Sequence, residues 1–178
     1  MKKTIKNVCT LAATNDYYFK STFFRAMPNL AAGIGEGVTG VFSKKPIKNY
    51  YKKKVEKLLS TLGWVYWLKN QRLFDPLTAL SGSGPAYIFL FLLIMKNSAK
   101  NFGFPDKVAN QLVFQTLKGV LGIYEKNSKL DTLISNVASP GGTTEAALKV
   151  LTKSNANLMV ILNKAILAAN DRSIKLGK

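Results

Sequence analysis

The apolar positions of this chain change their period once. Up to about residue 70 they come in short runs: Val8 to Ala13, Thr22 to Met27 (TFFRAM) and Trp64 to Leu68 (WVYWL). Each has the length of a strand, and the last two are closed by turn formers, Pro28-Asn29 and Lys69-Asn70-Gln71. Between the first two, NDYYFKS has room for one or two helical turns, which suggests two brief strands joined by a compact crossover in an α/β sheet. A helix follows Pro46 in KNYYKKKVEKLLSTLG, where Tyr51, Val55, Leu58, Leu59 and Leu62 share one face and Gly63 stands at the C-cap position. From Leu73 onward the strand signals vanish. The spacing predicts helices near 74–80, 85–101, 105–125, 130–137, 144–152 and 155–176, broken at SGSGP, NFGFP, EKNSK, SPGGT and KSNAN.

The helix beginning at Pro85 is apolar all round through Met95, so it needs cover on most sides. So few helices from one chain can hardly provide it, which favours an interface with a second copy. Counted without interruption, this run falls short of the ~18 residues that span a bilayer. The start, MKKTIKNVCTLAATN, has too short an apolar region for a secretory signal. Both points lead to the expectation of a soluble, cytoplasmic protein.

Composition narrows the chemistry. At 178 residues and 47% hydrophobic, the chain can build one good core, or one domain and a fragment. It has no histidine and a single cysteine, Cys9. Ser-His-Asp and Cys-His catalysis, imidazole zinc sites, an intramolecular disulfide and multi-thiolate metal sites are thereby excluded. The formal charge is +17, from 26 basic and 9 acidic residues. Only Arg25, Arg72 and Arg172 among the basic residues are arginine, and the lysines are scattered. That pattern reads as a compositional bias rather than a nucleic-acid surface, since base and phosphate readers favour arginine.

One motif invites over-reading. GIGEGVTG (33–40) contains a literal G-x-G-x-x-G at Gly35, Gly37 and Gly40. A phosphate cradle of that form follows the first strand of a βαβ unit and opens a helix. Here VFSKKP continues extended into Pro46, and Glu36 would set a negative charge inside the cradle. The acidic residue about 20 positions on, Glu56, lies within the lysine-rich helix rather than at a strand end. The glycines therefore read as a decoy.

Two other stretches have physical content of their own. In SPGGTT (139–144), Pro140 and two glycines bring bare backbone to a sharp turn, and Thr143 or Thr144 can cap the following helix. Amides at such a helix start suit a carboxylate, although an ordinary capped loop fits the local pattern as well. In SGSGPAY (81–87), Ser83 can serve as N-cap with Pro85 early in the helix, or the segment is simply a tightly packed helix start.

Taken together, in order and spacing, FRAMPNLAAGIGEGVTG (24–40), LTALSGSGPAYIFLF (77–91) and ASPGGTTEAAL (138–148) resemble the pyrroline-5-carboxylate reductase family. AILAANDRSIKLG (165–177) is similar to that family's last helix. The resemblance implies NAD(P)H-dependent reduction of 1-pyrroline-5-carboxylate to L-proline, with catalysis mostly by positioning. It implies a mostly α fold: an all-helical substrate-binding and dimerisation domain over 71–178, like the C-terminal domain of 6-phosphogluconate dehydrogenase. A partial α/β Rossmann remnant over 1–70 would precede it. It assigns the substrate carboxylate to Ser139, Gly141, Gly142, Thr143 and Thr144, with Thr144 contacting the ring as the catalytic position. It assigns Met27, Pro28 and Asn29 to the cofactor, NADP or NAD, and implies no metal. The family's opening strand, Gly-rich turn and helix do not precede Met1, so weak cofactor binding by this chain alone is expected. Departures are Leu30-Ala31 where the family usually has Thr-Pro, Leu93 where it has Glu, and Lys96 and Asn97 where small or acidic residues are usual. Expected partners are a second copy or a higher homo-oligomer and a small-molecule substrate, with no specific nucleic acid and no membrane. Two readings stay beside this one: a truncated, inactive paralogue serving only as a helical dimerisation module, and a basic nucleic-acid or membrane-surface binder suggested by charge alone.

Overall fold

The computed structural model describes residues 9–13, 22–126, 129–153 and 157–177. The helical turns expected between the first two strands fall outside them. The chain divides into two compact units, one of Met1–Pro85 with Leu167–Lys178, the other of Ala86–Ile166.

The first unit is built on a four-stranded sheet in sequence order, β1 (Cys9–Ala13), β2 (Thr22–Pro28), β3 (Gly37–Phe42) and β4 (Gly63–Trp67). The expectation of a crossover between β1 and β2 is corrected. They pair antiparallel, Cys9 opposite Ala26 and Ala13 opposite Thr22. A parallel connection needs about a dozen residues or more, and 14–21 is too short for one. β2 and β3 are also antiparallel, whereas β3 and β4 are parallel and joined by α1 (Asn49–Leu59). That β3–α1–β4 segment is the α/β element of the chain.

α1 buries its apolar stripe on one face of the sheet. Phe24, Ala26, Val41 and Leu59 form the buried centre, with Ile47, Val55, Leu62, Val65 and Trp67 packed around it. Phe24 meets Trp67 edge to face at 6.1 Å. The Trp67 indole N–H donates to Glu56 Oε1 at 2.7 Å, so the acidic residue in the lysine-rich helix fastens that helix to β4.

β3 runs through the glycine-rich motif itself, where the sequence reading placed no strand. A Cβ on Gly37 would lie 2.6–2.7 Å from backbone atoms of Ala32 and Leu62, and one on Gly63 (φ 121°) would strike the Gly37 backbone. These two glycines face each other in the β3–β4 register, so their bare backbones are what let the strands meet. The motif is a packing device with no phosphate cradle.

After β4 the chain becomes helical at Gln71 and stays nearly so to Asn101: a 3₁₀ turn Gln71–Leu73, α2 (Phe74–Leu77), a π-turn Thr78–Gly82 and α3 (Gly84–Asn101). Ser83 is accordingly no fresh N-cap. It has helical backbone angles and its N–H donates to the Thr78 carbonyl at 2.8 Å. The uninterrupted run Gln71–Asn101 is long and apolar enough to cross a membrane by length and composition. This corrects the count made on apolar residues alone, because Thr, Ser and Gly within the run carry no charge.

The second unit holds the rest of α3, α4 (Asp106–Lys126), α5 (Leu130–Val137), α6 (Thr143–Lys153) and the first part of α7 (Leu158–Leu176). Lys96 and Lys100 both reach Asp106, at 3.0 and 3.1 Å, closing the corner between α3 and α4. Among the described residues of this unit only Ala109 and Val113 are buried apolar residues. Leu90, Leu93 and Ile94 on α3, and Phe114, Leu121 and Ile123 on α4, are each more than 50% exposed.

Candidate functional site

The MPN segment ends β2. Asn29 fixes the turn that follows: its Nδ2 donates to the Ser81 carbonyl at 3.1 Å, and its Oδ1 accepts from the Val38 N–H at 3.1 Å. Its own backbone N–H donates to the Val38 carbonyl. One side chain thus ties β2, β3 and the π-turn Thr78–Gly82 together. Thr78 Oγ1 donates to the Phe74 carbonyl at 2.7 Å and lies 3.1 Å from Met27 Sδ. Met27, Pro28 and Asn29 are all half-buried in this junction.

These residues do not by themselves make a dinucleotide site. Both ends of the Asn29 amide are engaged inside the protein, and the space a phosphate would need is taken at Gly37 by the Ala32 and Leu62 backbone and at Gly40 by Leu77. Close by in β3, Thr39 is fully buried, and its hydroxyl finds no hydrogen-bond partner among the described residues.

The second group lies in the other unit. Ser139-Pro140-Gly141-Gly142 forms a tight turn immediately before α6, with Gly141 at φ 72°, which a side chain would strain. Gly142 N–H donates to the Ser139 carbonyl at 3.0 Å, and a Cβ on Gly142 would lie 2.5 Å from Ser139 Oγ. Gly142 and Thr144 are half-buried, whereas Ser139, Gly141 and Thr143 are exposed. Five residues predicted from sequence are therefore brought together on one short turn.

The cap of α6 is not the expected one. Thr143 is the first residue of the helix, and the Gly141 N–H donates instead to Glu145 Oε2 at 2.5 Å, one turn ahead. Glu145 Oε1 also pairs with Lys149 at 2.9 Å. Lys149 first, and the Gly141 amide second, hold the Glu145 carboxyl below the usual glutamate range. Sequence reasoning missed this residue, although an acid at the third helical position is the signal of a side chain that folds back on the helix start. Chemically, the turn presents a backbone N–H that donates to a carboxylate, beside two threonine hydroxyls that have no hydrogen-bond partner among the described residues.

A family model described as pyrroline-5-carboxylate reductase dimerisation matches residues 71–176. The pyrroline-5-carboxylate reductase of Haemophilus influenzae is 37% identical over 135 residues, covering 75% of this chain and 50% of that protein. That of Pasteurella multocida is 36% identical over 156 residues, covering 86% and 56%. The solved structure of the Coxiella burnetii enzyme superposes with a TM-score of 0.81 at 35% identity, over 89% of this chain and 58% of that one. The Plasmodium falciparum pyrroline carboxylate reductase, solved with NADP bound, gives 0.81 at 29% identity, over 89% and 60%. The chain spans about half the length of the curated relatives it matches. With the helical region and the SPGGTT turn covered by the family model, and relatives above 30% identity covering most of the chain, the chain belongs to the pyrroline-5-carboxylate reductase family.

Proposed function

We propose that this chain supplies the substrate-binding and dimerisation part of a pyrroline-5-carboxylate reductase, which reduces 1-pyrroline-5-carboxylate to L-proline at the expense of NADH or NADPH. The observation that carries this reading is the turn before α6. Its Gly141 amide already holds a carboxylate, that of Glu145, in the position where the substrate carboxylate would dock. In this reading Ser139, Gly141, Gly142 and Thr143 bind that carboxylate. Thr144, half-buried at the same turn, sets its hydroxyl toward the ring nitrogen and is the catalytic position. Residues 71–178 form the helical domain, and residues 1–70 are the late part of a cofactor domain. Met27, Pro28 and Asn29 border the cofactor as a rigid wall, consistent with the internal engagement of Asn29. NAD(P)H supplies the hydride to the assembled enzyme.

Assembly is part of the proposal. Helices α3 and α4 expose too many large apolar side chains for a stable free surface, so a second copy covers them, in a cytoplasmic homodimer or larger homo-oligomer.

The test uses the full chain and L-proline, the product, as probe. Titration followed by amide NMR is expected to shift Gly141, Gly142, Thr143 and Thr144 saturably. A titration that leaves these amides unmoved refutes the substrate assignment. The same chain alone is expected to show no pyrroline-5-carboxylate-dependent oxidation of NADPH or NADH, and ordinary turnover would refute the division of labour proposed here.

A further inference from the structure

The first unit contains a cavity of about 530 Å³ whose lining includes no residue of the two groups described above. It is lined by Arg25 on β2, Gln71, Arg72 and Asp75 at the start of the helical run, and Ser173 near the end of α7. Two of the three arginines of the whole chain meet there. In a protein whose other basic residues are lysine, that is a concentration of the one side chain with a planar, forked donor edge. The volume lies in the range of small-molecule sites.

Among the described residues neither guanidinium group is neutralised. Arg25 lies 4.1 Å over the centre of the Phe74 ring, which is buried, so its position is fixed by a stacking contact that leaves its edge donors free. Arg72 sits in the 3₁₀ turn Gln71–Leu73. Among the described residues neither arginine has a carboxylate within ion-pair distance. Asp75, in the same wall, is turned to another purpose: its Oδ1 accepts from Ser173 Oγ at 2.7 Å, fastening α7 to the helical run. The cavity therefore presents two forked cations, the Gln71 amide and one tethered carboxylate. Its balance is positive.

We propose that this cavity is a second binding site, for a small oxyanion, and that Arg25 and Arg72 grip it through paired N–H donors. The ligand carries a carboxylate or a phosphate, the two groups whose oxygen spacing matches the guanidinium fork. The site does not depend on the proposed reductase activity.

Calorimetric titration of the full chain at about 0.15 M ionic strength tests it, since scattered lysine charge is screened beyond about 8 Å there. Inorganic phosphate and malonate are the two probes, and the tighter one identifies the source of the oxyanion. Saturable one-to-one binding of at least one probe is expected. Arg72→Ala should weaken it at least about tenfold, the loss of a charge-assisted pair. Arg25→Lys keeps the charge but loses the fork, and should weaken it several-fold. Lys53→Ala, an exposed lysine on α1, should leave it unchanged. Circular dichroism of each variant confirms that the fold is retained. Featureless, unsaturable heats for both probes overturn the proposal, as does an equal loss in Lys53→Ala and Arg72→Ala.

Discussion

Thr39 puts a hydroxyl into the driest part of the sheet with nothing to donate to. An orphaned buried polar group costs about 1–3 kcal/mol, and valine has nearly the same shape. Thr39→Val is therefore expected to stabilise the first unit by about 1 kcal/mol, read as a higher midpoint in urea unfolding. Glu145 gives the opposite case of a polar group with two partners. Its carboxyl is held below its ordinary range by Lys149 and the Gly141 amide, so its contribution is complete above the unfolded value, about pH 4.3, and is lost as the pH falls through the folded value. The acid side of a Tm-against-pH curve should show that loss, and Glu145→Gln should remove it. The same carboxylate competes with any ligand carboxylate for the Gly141 amide. Glu145→Ala is thus expected to tighten L-proline binding several-fold in the NMR titration, and unchanged affinity would show that the amide is not the docking point.

Among the elements, the helices were legible because their apolar periodicity is a local property, and α4, α5 and α6 lie within a residue or two of the expected bounds. β3 was not legible. Gly37 and Gly40 look like turn residues in isolation, and only the approach of Ala32, Leu62 and Leu77 explains why the strand requires them. The SPGGTT turn announced itself by composition, but the Asn29 junction did not, because the Ser81 carbonyl it grips lies 52 residues away. The departures from family pattern also find meaning at this scale. Lys96, an expected departure, closes the α3–α4 corner with Asp106. Leu93, the second expected departure, stands half-exposed on α3, as do Leu90 and Ile94. Leu93→Glu should cost little in the folding of the free chain, yet a charge buried without a partner weakens an apolar interface by several kcal/mol. Sedimentation should then show dimers dissociating at concentrations where the unaltered chain stays associated.

For the whole molecule, the division into two units separates two kinds of stability. The sheet unit has its own buried centre in Phe24, Ala26, Val41 and Leu59, whereas the helical unit buries little within one chain. Its persistence should depend on protein concentration in the way of obligate oligomers. The two units are interleaved in sequence, since residues 167–178 return to the first one. Deleting 167–178 is expected to lower the melting point of the sheet unit, although every strand remains in the chain.

The Asp75–Ser173 hydrogen bond joins residues 98 positions apart. During synthesis the strands leave the ribosome well before residues 167–178, which belong to the same unit. The first unit therefore stays incomplete while the second is made. Helices whose large apolar side chains are exposed emerge in that interval. Order of manufacture and order of assembly run against each other in this protein, and the nascent chain is exposed to misassociation until the last turns of α7 arrive.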